Sequence, residues 1–147
     1  MAGAAYNKFY LPVQYWTNCL GGSVSTGTWK AALTNATMTS TFTLYTGWNS
    51  SESSGINGYS SGGATLTLTT SNITGTQTVQ WTATNPTWTG TSATSTAGFT
   101  FRYAVFYEAT SSVNLAWFDY GGALTIYPGD TLTLSSTSAT SILFTMA

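Results

Sequence analysis

The feature that most constrains this chain is an alternation of apolar and polar residues with a period of two. Between Phe99 and Tyr107, aromatic and aliphatic residues occupy every second position. The same alternation recurs in Thr65–Thr69, Thr78–Ala83, Val113–Phe118 and Thr131–Leu134. This period predicts β-strands with one apolar face each. Because no stretch sustains a 3.6-residue period, we expect little helix.

Shorter patterns predict further strands at Thr28–Leu33, Phe42–Leu44 and Ile142–Met146. Two polar stretches, Ser50–Gly63 and Thr87–Gly98, have the composition of long loops. Many short strands separated by Gly and Pro turns are typical of sandwiches and barrels. We therefore predict an all-β, single-domain antiparallel β-sandwich, jelly-roll-like, over residues 29–147. Residues 1–28 are predicted to form an extended N-terminal arm or the first strand.

Charge is scarce in this chain. Charged residues make up 5% of the sequence and the net charge is −1, against about a quarter charged in ordinary domains. Three dispersed cations do not predict binding of nucleic acid, which needs clustered Lys and Arg. No apolar run approaches the about 20 residues that span a bilayer, so no membrane partner is expected. The polarity comes from Thr and Ser, which suits a protein held in an assembly.

The sequence contains no histidine. Histidine is the commonest general base near neutral pH and the commonest metal ligand, so we predict no enzyme activity, no catalytic residues, no metal and no cofactor. Glu108 and Asp119 flank a predicted turn, and we expect them to be solvated or paired with Arg102 or Lys30. Asp130 is expected to accept backbone N–H bonds in its own turn.

An ordered set of motifs spans residues 29 to about 135. Its elements are Trp29-Lys30-Ala31-Ala32-Leu33, Gly58-Tyr59 followed by Gly62-Gly63 and Leu66, Trp88, Arg102-Tyr103-Ala104-Val105 with Tyr107, Asp119 with Gly121-Gly122, and Gly129-Asp130. This order resembles a group of small virion structural proteins of tailed bacteriophages. The resemblance implies a part of the phage particle, either a capsid decoration (cement) protein or a fibre or tail-associated protein.

A decoration protein is the function we expect first, one that binds and stabilises the outer shell. Its partners would be the major capsid protein and other copies of itself, with a trimer favoured over a dimer. Its location would be the capsid surface of the virion, after assembly in the host cytoplasm. Aromatic residues near the N-terminus are candidates for the partner-binding anchor, although they equally fit a first core strand: Tyr6, Phe9, Tyr10, Tyr15 and Trp16.

An alternative function is a carbohydrate-binding or receptor-binding β-sandwich of a phage fibre or tail. Trp48, Tyr59 and Trp88 lie in segments with loop-like composition. Exposed aromatic rings of this kind stack on sugars, since both surfaces are flat and apolar. The competing interpretation is that these three rings cap the core.

Overall fold

The computed structural model describes residues 28–53, 57–73, 78–91, 98–134 and 141–146. These residues are mostly β-strand, with two one-turn 3-10 helices, and every strand pair is antiparallel. The strands are β1 (Trp29–Thr34), β2 (Ala64–Leu66), β3 (Leu68–Ile73), β4 (Thr78–Ala83), β5 (Thr87–Thr89), β6 (Phe99–Glu108), β7 (Val113–Ile126), β8 (Thr131–Thr133) and β9 (Ser141–Met146). The predicted all-β class is confirmed.

The central sheet has the strand order β2-β1-β6-β7. A row of register partners runs across it from Ala32 to Val105 to Trp117. The side chains of this row pack in one core cluster. The next row, Ala31, Phe106 and Ala116, packs in a second cluster on the opposite face.

Strand β6 is buried on both faces, which differs from the predicted single apolar face. Phe101 pairs with Leu124 and Tyr103 with Asp119, so a bulge lies between the two pairs. A bulge adds residues to one strand and shifts the alternation of side chains between faces. The extra residues, 120–123, lie in β7, and opposite them the facing of β6 also changes, because Phe101 packs in one cluster and Tyr103 in the other.

One cluster lies between the central sheet and a small ribbon formed by β5 and β8. Trp88 of β5, in a stretch predicted to be loop, is 5% exposed and packs against residues of the central sheet. The buried members of this cluster are Trp29, Ala31, Leu33, Tyr59, Leu66, Trp88, Phe99, Phe101, Ala104, Phe106 and Leu115. The ribbon formed by β5 and β8 therefore covers this face of the central sheet.

The other face is covered by residues 36–53, which we call the cover segment. It contains the 3-10 turns Tyr45–Gly47 and Asn49–Ser51, while the predicted strand Phe42–Leu44 is reduced to a single bridge between Leu44 and Val113. The prediction of a strand there is therefore wrong. The buried residues of this cluster are Ala32, Met38, Trp48, Tyr103, Val105 and Tyr107.

The predicted strand Thr65–Thr69 is divided at Thr67, which separates β2 from β3. Strand β3 leaves the central sheet and joins a three-stranded sheet of order β3-β4-β9. Hydrogen bonds between Thr67 and Thr84 continue the pairing to the point where the strands part. Within the described residues, no helix is long and apolar enough to cross a membrane.

Candidate functional site: a carboxylate–tyrosine cluster

Glu52 lies beside the central sheet because its segment continues the edge that β2 begins. Ser53 donates its backbone N–H to Leu33 O at 2.9 Å, and Thr34 forms a bridge with Glu52. Strand β1 is thus paired first with β2 and then with residues 51–53. This placement brings the Glu52 carboxylate to the border between the two core clusters.

The Glu52 carboxylate accepts hydrogen bonds from three neutral donors. The Tyr59 hydroxyl donates to Oε1 at 2.5 Å and the Tyr45 hydroxyl to Oε2 at 2.5 Å. The backbone N–H of Gly62 donates to Oε1 at 2.7 Å. Since Tyr45 packs with the cover segment's cluster and Tyr59 with the ribbon's cluster, one carboxylate joins the coverings of both faces.

Neighbouring groups extend this carboxylate–tyrosine cluster. The Tyr59 hydroxyl also accepts the backbone N–H of Leu33 at 3.0 Å. Tyr107 donates its hydroxyl to Gly62 O at 2.8 Å, and its ring stacks on Tyr45 with centroids 4.6 Å apart. Gly62 is therefore held through both its N–H and its C=O.

The electrostatics keep the phenols of this cluster neutral. Burial, followed by the hydrogen bond to Glu52, raises the pKa of Tyr59 and of Tyr45 well above the ordinary value. Burial and the Glu52 charge raise the pKa of Tyr107 to about 12. A carboxylate surrounded by such donors is stabilised as an acceptor. The arrangement joins the Glu52 carboxylate to neutral phenols from both core clusters.

The sequence did not predict that Glu52 and Tyr59 would be in contact. Glu52 was visible as one of only four acidic residues, and Tyr59 as an aromatic residue in a loop-like stretch. The signal that links them is weak: seven positions separate Tyr45 from Glu52 and seven more separate Glu52 from Tyr59. A spacing of seven would place residues on one face of an α-helix, but no helical period runs through this stretch, so only the tertiary fold reveals the contact.

Trp48, proposed for glycan stacking under the alternative function, is buried. Its side chain is 1% exposed, and Nε1 donates to Asn114 Oδ1 at 3.1 Å. Its ring meets the rings of Tyr45 and Tyr107 edge-on. A ring enclosed in this way has no free face on which a sugar could stack.

Tyr59 and Trp88, the other two residues of that proposal, lie together in the ribbon's cluster. They are 2% and 5% exposed. Their rings stack with centroids 6.3 Å apart, and Tyr59 also contacts Phe99. The structure therefore places all three rings in the core, as the competing interpretation expected, because each has neighbours on its faces and edges.

The predicted partner-binding residues Tyr6, Phe9, Tyr10, Tyr15 and Trp16 lie outside the described residues. The arm assigned to residues 1–28 falls outside them as well, except for Thr28. In the described part, Thr28 O accepts the N–H of Ala109 at the end of β6. That bond places Thr28 beside the end of β6.

Arg102 and Asp119 form a bidentate ion pair across β6 and β7. Nε and Nη2 of Arg102 lie 2.9 Å from the two carboxylate oxygens of Asp119. The guanidinium also lies over the ring of Tyr103 at 5.0 Å. The hydrogen bond from Arg102, with that from the Gly121 N–H, lowers the pKa of Asp119. Of the alternatives predicted for Asp119, which were solvation or pairing with Arg102 or Lys30, the structure shows the pair with Arg102.

Glu108 and Asp130 serve their own turns. Glu108 accepts hydrogen bonds from Thr110 and Ser111, and these lower its pKa although burial opposes them. Asp130 Oδ2 accepts the N–H of Tyr127 at 3.2 Å, which confirms its predicted turn role. In the described ranges, no group of three His, Cys, Asp or Glu residues is placed to hold a metal ion.

Comparison with known proteins adds no relative. No protein-family model matches this chain, and no curated protein or solved structure matches it.

Proposed function

We propose that this chain is a structural component of a bacteriophage particle, most specifically a capsid decoration protein without catalytic activity. In this proposal the domain is a jelly-roll-like β-sandwich that binds the outer shell and stabilises it. The proposal rests on the order of motifs that resembles phage virion proteins. The observation that supports it best is that these motif residues hold the fold together.

The Gly-Tyr and Gly-Gly motif illustrates this structural use. Gly62 and Gly63 have φ angles of +84° and +71°, a region that favours glycine. A Cβ on Gly63 would lie 1.9 Å from Ala31 O, so only glycine fits beside β1. Tyr59 and Gly62 of the same motif bind Glu52. The whole motif therefore returns the chain to the sheet at β2.

The Arg-Tyr motif and the Asp-Gly-Gly motif meet across the central sheet. Arg102 binds Asp119 directly, and Tyr103 is the register partner of Asp119. Gly121 follows with a φ of +79° inside the bulge of β7. A family of shell proteins with a common fold would share motifs that stabilise the fold rather than line a cleft.

The four carboxylates of the chain are all engaged in such structural bonds. Glu52 binds tyrosines, Asp119 binds Arg102, and Glu108 and Asp130 bind turn N–H groups. Acid–base catalysis by carboxylates requires at least one that faces a substrate. This engagement supports a binding protein over an enzyme.

Partner contact in this proposal is made by the aromatic N-terminal residues named above, with the major capsid protein and neighbouring copies as partners. Interfaces of this type depend on a few aromatic anchors. Assembly as a homo-oligomer, a trimer before a dimer, would place several such anchors on one local symmetry axis of the shell.

The test uses shells of the phage that encodes this chain, prepared without it. We expect the purified protein to sediment with these shells and to raise their disruption temperature in calorimetry. The variant Phe9→Ala/Tyr10→Ala/Trp16→Ala should lose both effects while keeping its own unfolding transition. Tyr127→Ala, which removes an aromatic ring 56% exposed on the described domain, is the matched control and should bind normally.

If the folded protein does not bind the shells, the proposal is contradicted. If it binds to an array of glycans instead, the fibre alternative is favoured. If the triple variant binds as well as the wild type, the shell-binding function stands but the N-terminal anchor is wrong. Light scattering on the free protein tests the oligomer, for which a mass three times the 15.5 kDa of the chain is expected.

A further inference from the structure

We draw no further inference here: the strongest candidate, the half-buried stretch of the edge strand β7 from Ala116 to Tyr120 with its three aromatic residues, carries none because nothing among the described residues shows what covers that edge.

Discussion

The two faces of the central sheet are covered by different kinds of structure. The ribbon of β5 and β8 covers one face with a backbone ladder in which Trp88 pairs with Leu132. The cover segment covers the other face with irregular backbone held by side chains, above all Asn114 and Glu52. A ladder spreads its stability over many backbone bonds, whereas an irregular cover concentrates it in a few polar groups.

The two coverings differ first in what surrounds their glycines, which is backbone in the ribbon and a side chain in the cover segment. A Cβ on Gly90, at the end of β5, would lie 2.2 Å from Tyr127 O. A Cβ on Gly47, in the cover segment, would lie 3.0 Å from the Cδ1 atom of Phe42, a half-buried side chain. Tyr127 O accepts the N–H of Asp130 in the turn before β8, so it has little room to move, but a side chain that is partly exposed can rotate away.

The largest predicted effect is therefore that of Gly90→Ala. We expect it to lower the free energy of unfolding by about 3 kcal/mol or more, because the ribbon must separate from the end of β7. Gly47→Ala is the matched control, with an expected loss of about 1 kcal/mol or less. Urea unfolding of both variants measures the difference. Equal losses would mean that the ribbon is as adaptable as the cover segment.

The second prediction concerns Asn114, which is 4% exposed. Its side chain accepts from Trp48 and donates to Phe42 O at 2.7 Å, and its N–H donates to Thr43 O. Asn114→Ala should cost about 2–4 kcal/mol, since it leaves a buried indole N–H and a carbonyl without partners.

The matched variant for Asn114 is Thr131→Ala in the ribbon. It removes an exposed hydroxyl pair with Thr89 but leaves the backbone ladder in place. Its expected cost is within about 0.5 kcal/mol. If chemical denaturation gives Asn114→Ala a comparably small cost, the cover segment does not depend on this side chain and the comparison fails.

The third prediction follows from the raised pKa values of Tyr45, Tyr59 and Tyr107. A phenol whose pKa is higher in the folded state than in the unfolded state stabilises the fold fully below pH 10, the ordinary tyrosine pKa. That contribution is lost as the pH rises above 10, at about 1.4 kcal/mol per pH unit for the buried Tyr59.

Equilibrium unfolding between pH 9 and 11 checks this dependence on the whole chain. We expect stability to be steady up to about pH 10, the unfolded-state pKa of tyrosine, and to fall beyond it. Tyr59→Phe should be less stable at neutral pH but should lose less on going to high pH. A parallel pH profile for wild type and variant would show that Tyr59 is not protected by the fold.

The smallest predicted effect is the coupling between the two coverings through Glu52. Tyr45→Phe and Tyr59→Phe each remove one donor to the same carboxylate. Both tyrosines donate to the same carboxylate, so loss of one hydrogen bond changes the strength of the other. The loss of unfolding free energy in the double variant should therefore differ from the sum of the two single losses by about 0.5–1.5 kcal/mol.

The control cycle combines Tyr45→Phe with Thr131→Ala, which share no partner, and should be additive within about 0.3–0.5 kcal/mol. Additivity in both cycles would mean that Glu52 binds the two tyrosines independently. The two faces of the sheet would then be stabilised separately.

The sequence predicted the strands well where alternation was long. Strands β4 and β6 lie close to their predicted bounds, and β1, which was predicted from a shorter pattern, does so as well. The strand predicted at Phe42–Leu44 failed because one alternation of two apolar residues does not distinguish a strand from irregular backbone that buries a side chain. Likewise, the three-residue strand β5 was hidden in a polar stretch, since its pairing with β8 is long-range.

The candidate site was predicted only in part. The turn role of Asp130 was predicted correctly, since it depends on a local turn. The Arg102–Asp119 pair was one of the alternatives left open, and strand pairing decided it. The exposure expected for Trp48, Tyr59 and Trp88 under the alternative function was not observed. Loop-like composition predicts irregular backbone near an aromatic residue. Whether its side chain is buried depends on which other segments pack against it.

What the sequence by itself determined is the β class, because period-two alternation and Gly-rich turns act locally. Only the tertiary structure decided that β6 is buried on both faces and that Glu52 joins Tyr45 to Tyr59. The first outcome depends on the ribbon and the cover segment, which pack on opposite faces of the sheet, and the second on contacts within an irregular stretch. Neither is expressed in a period of the sequence.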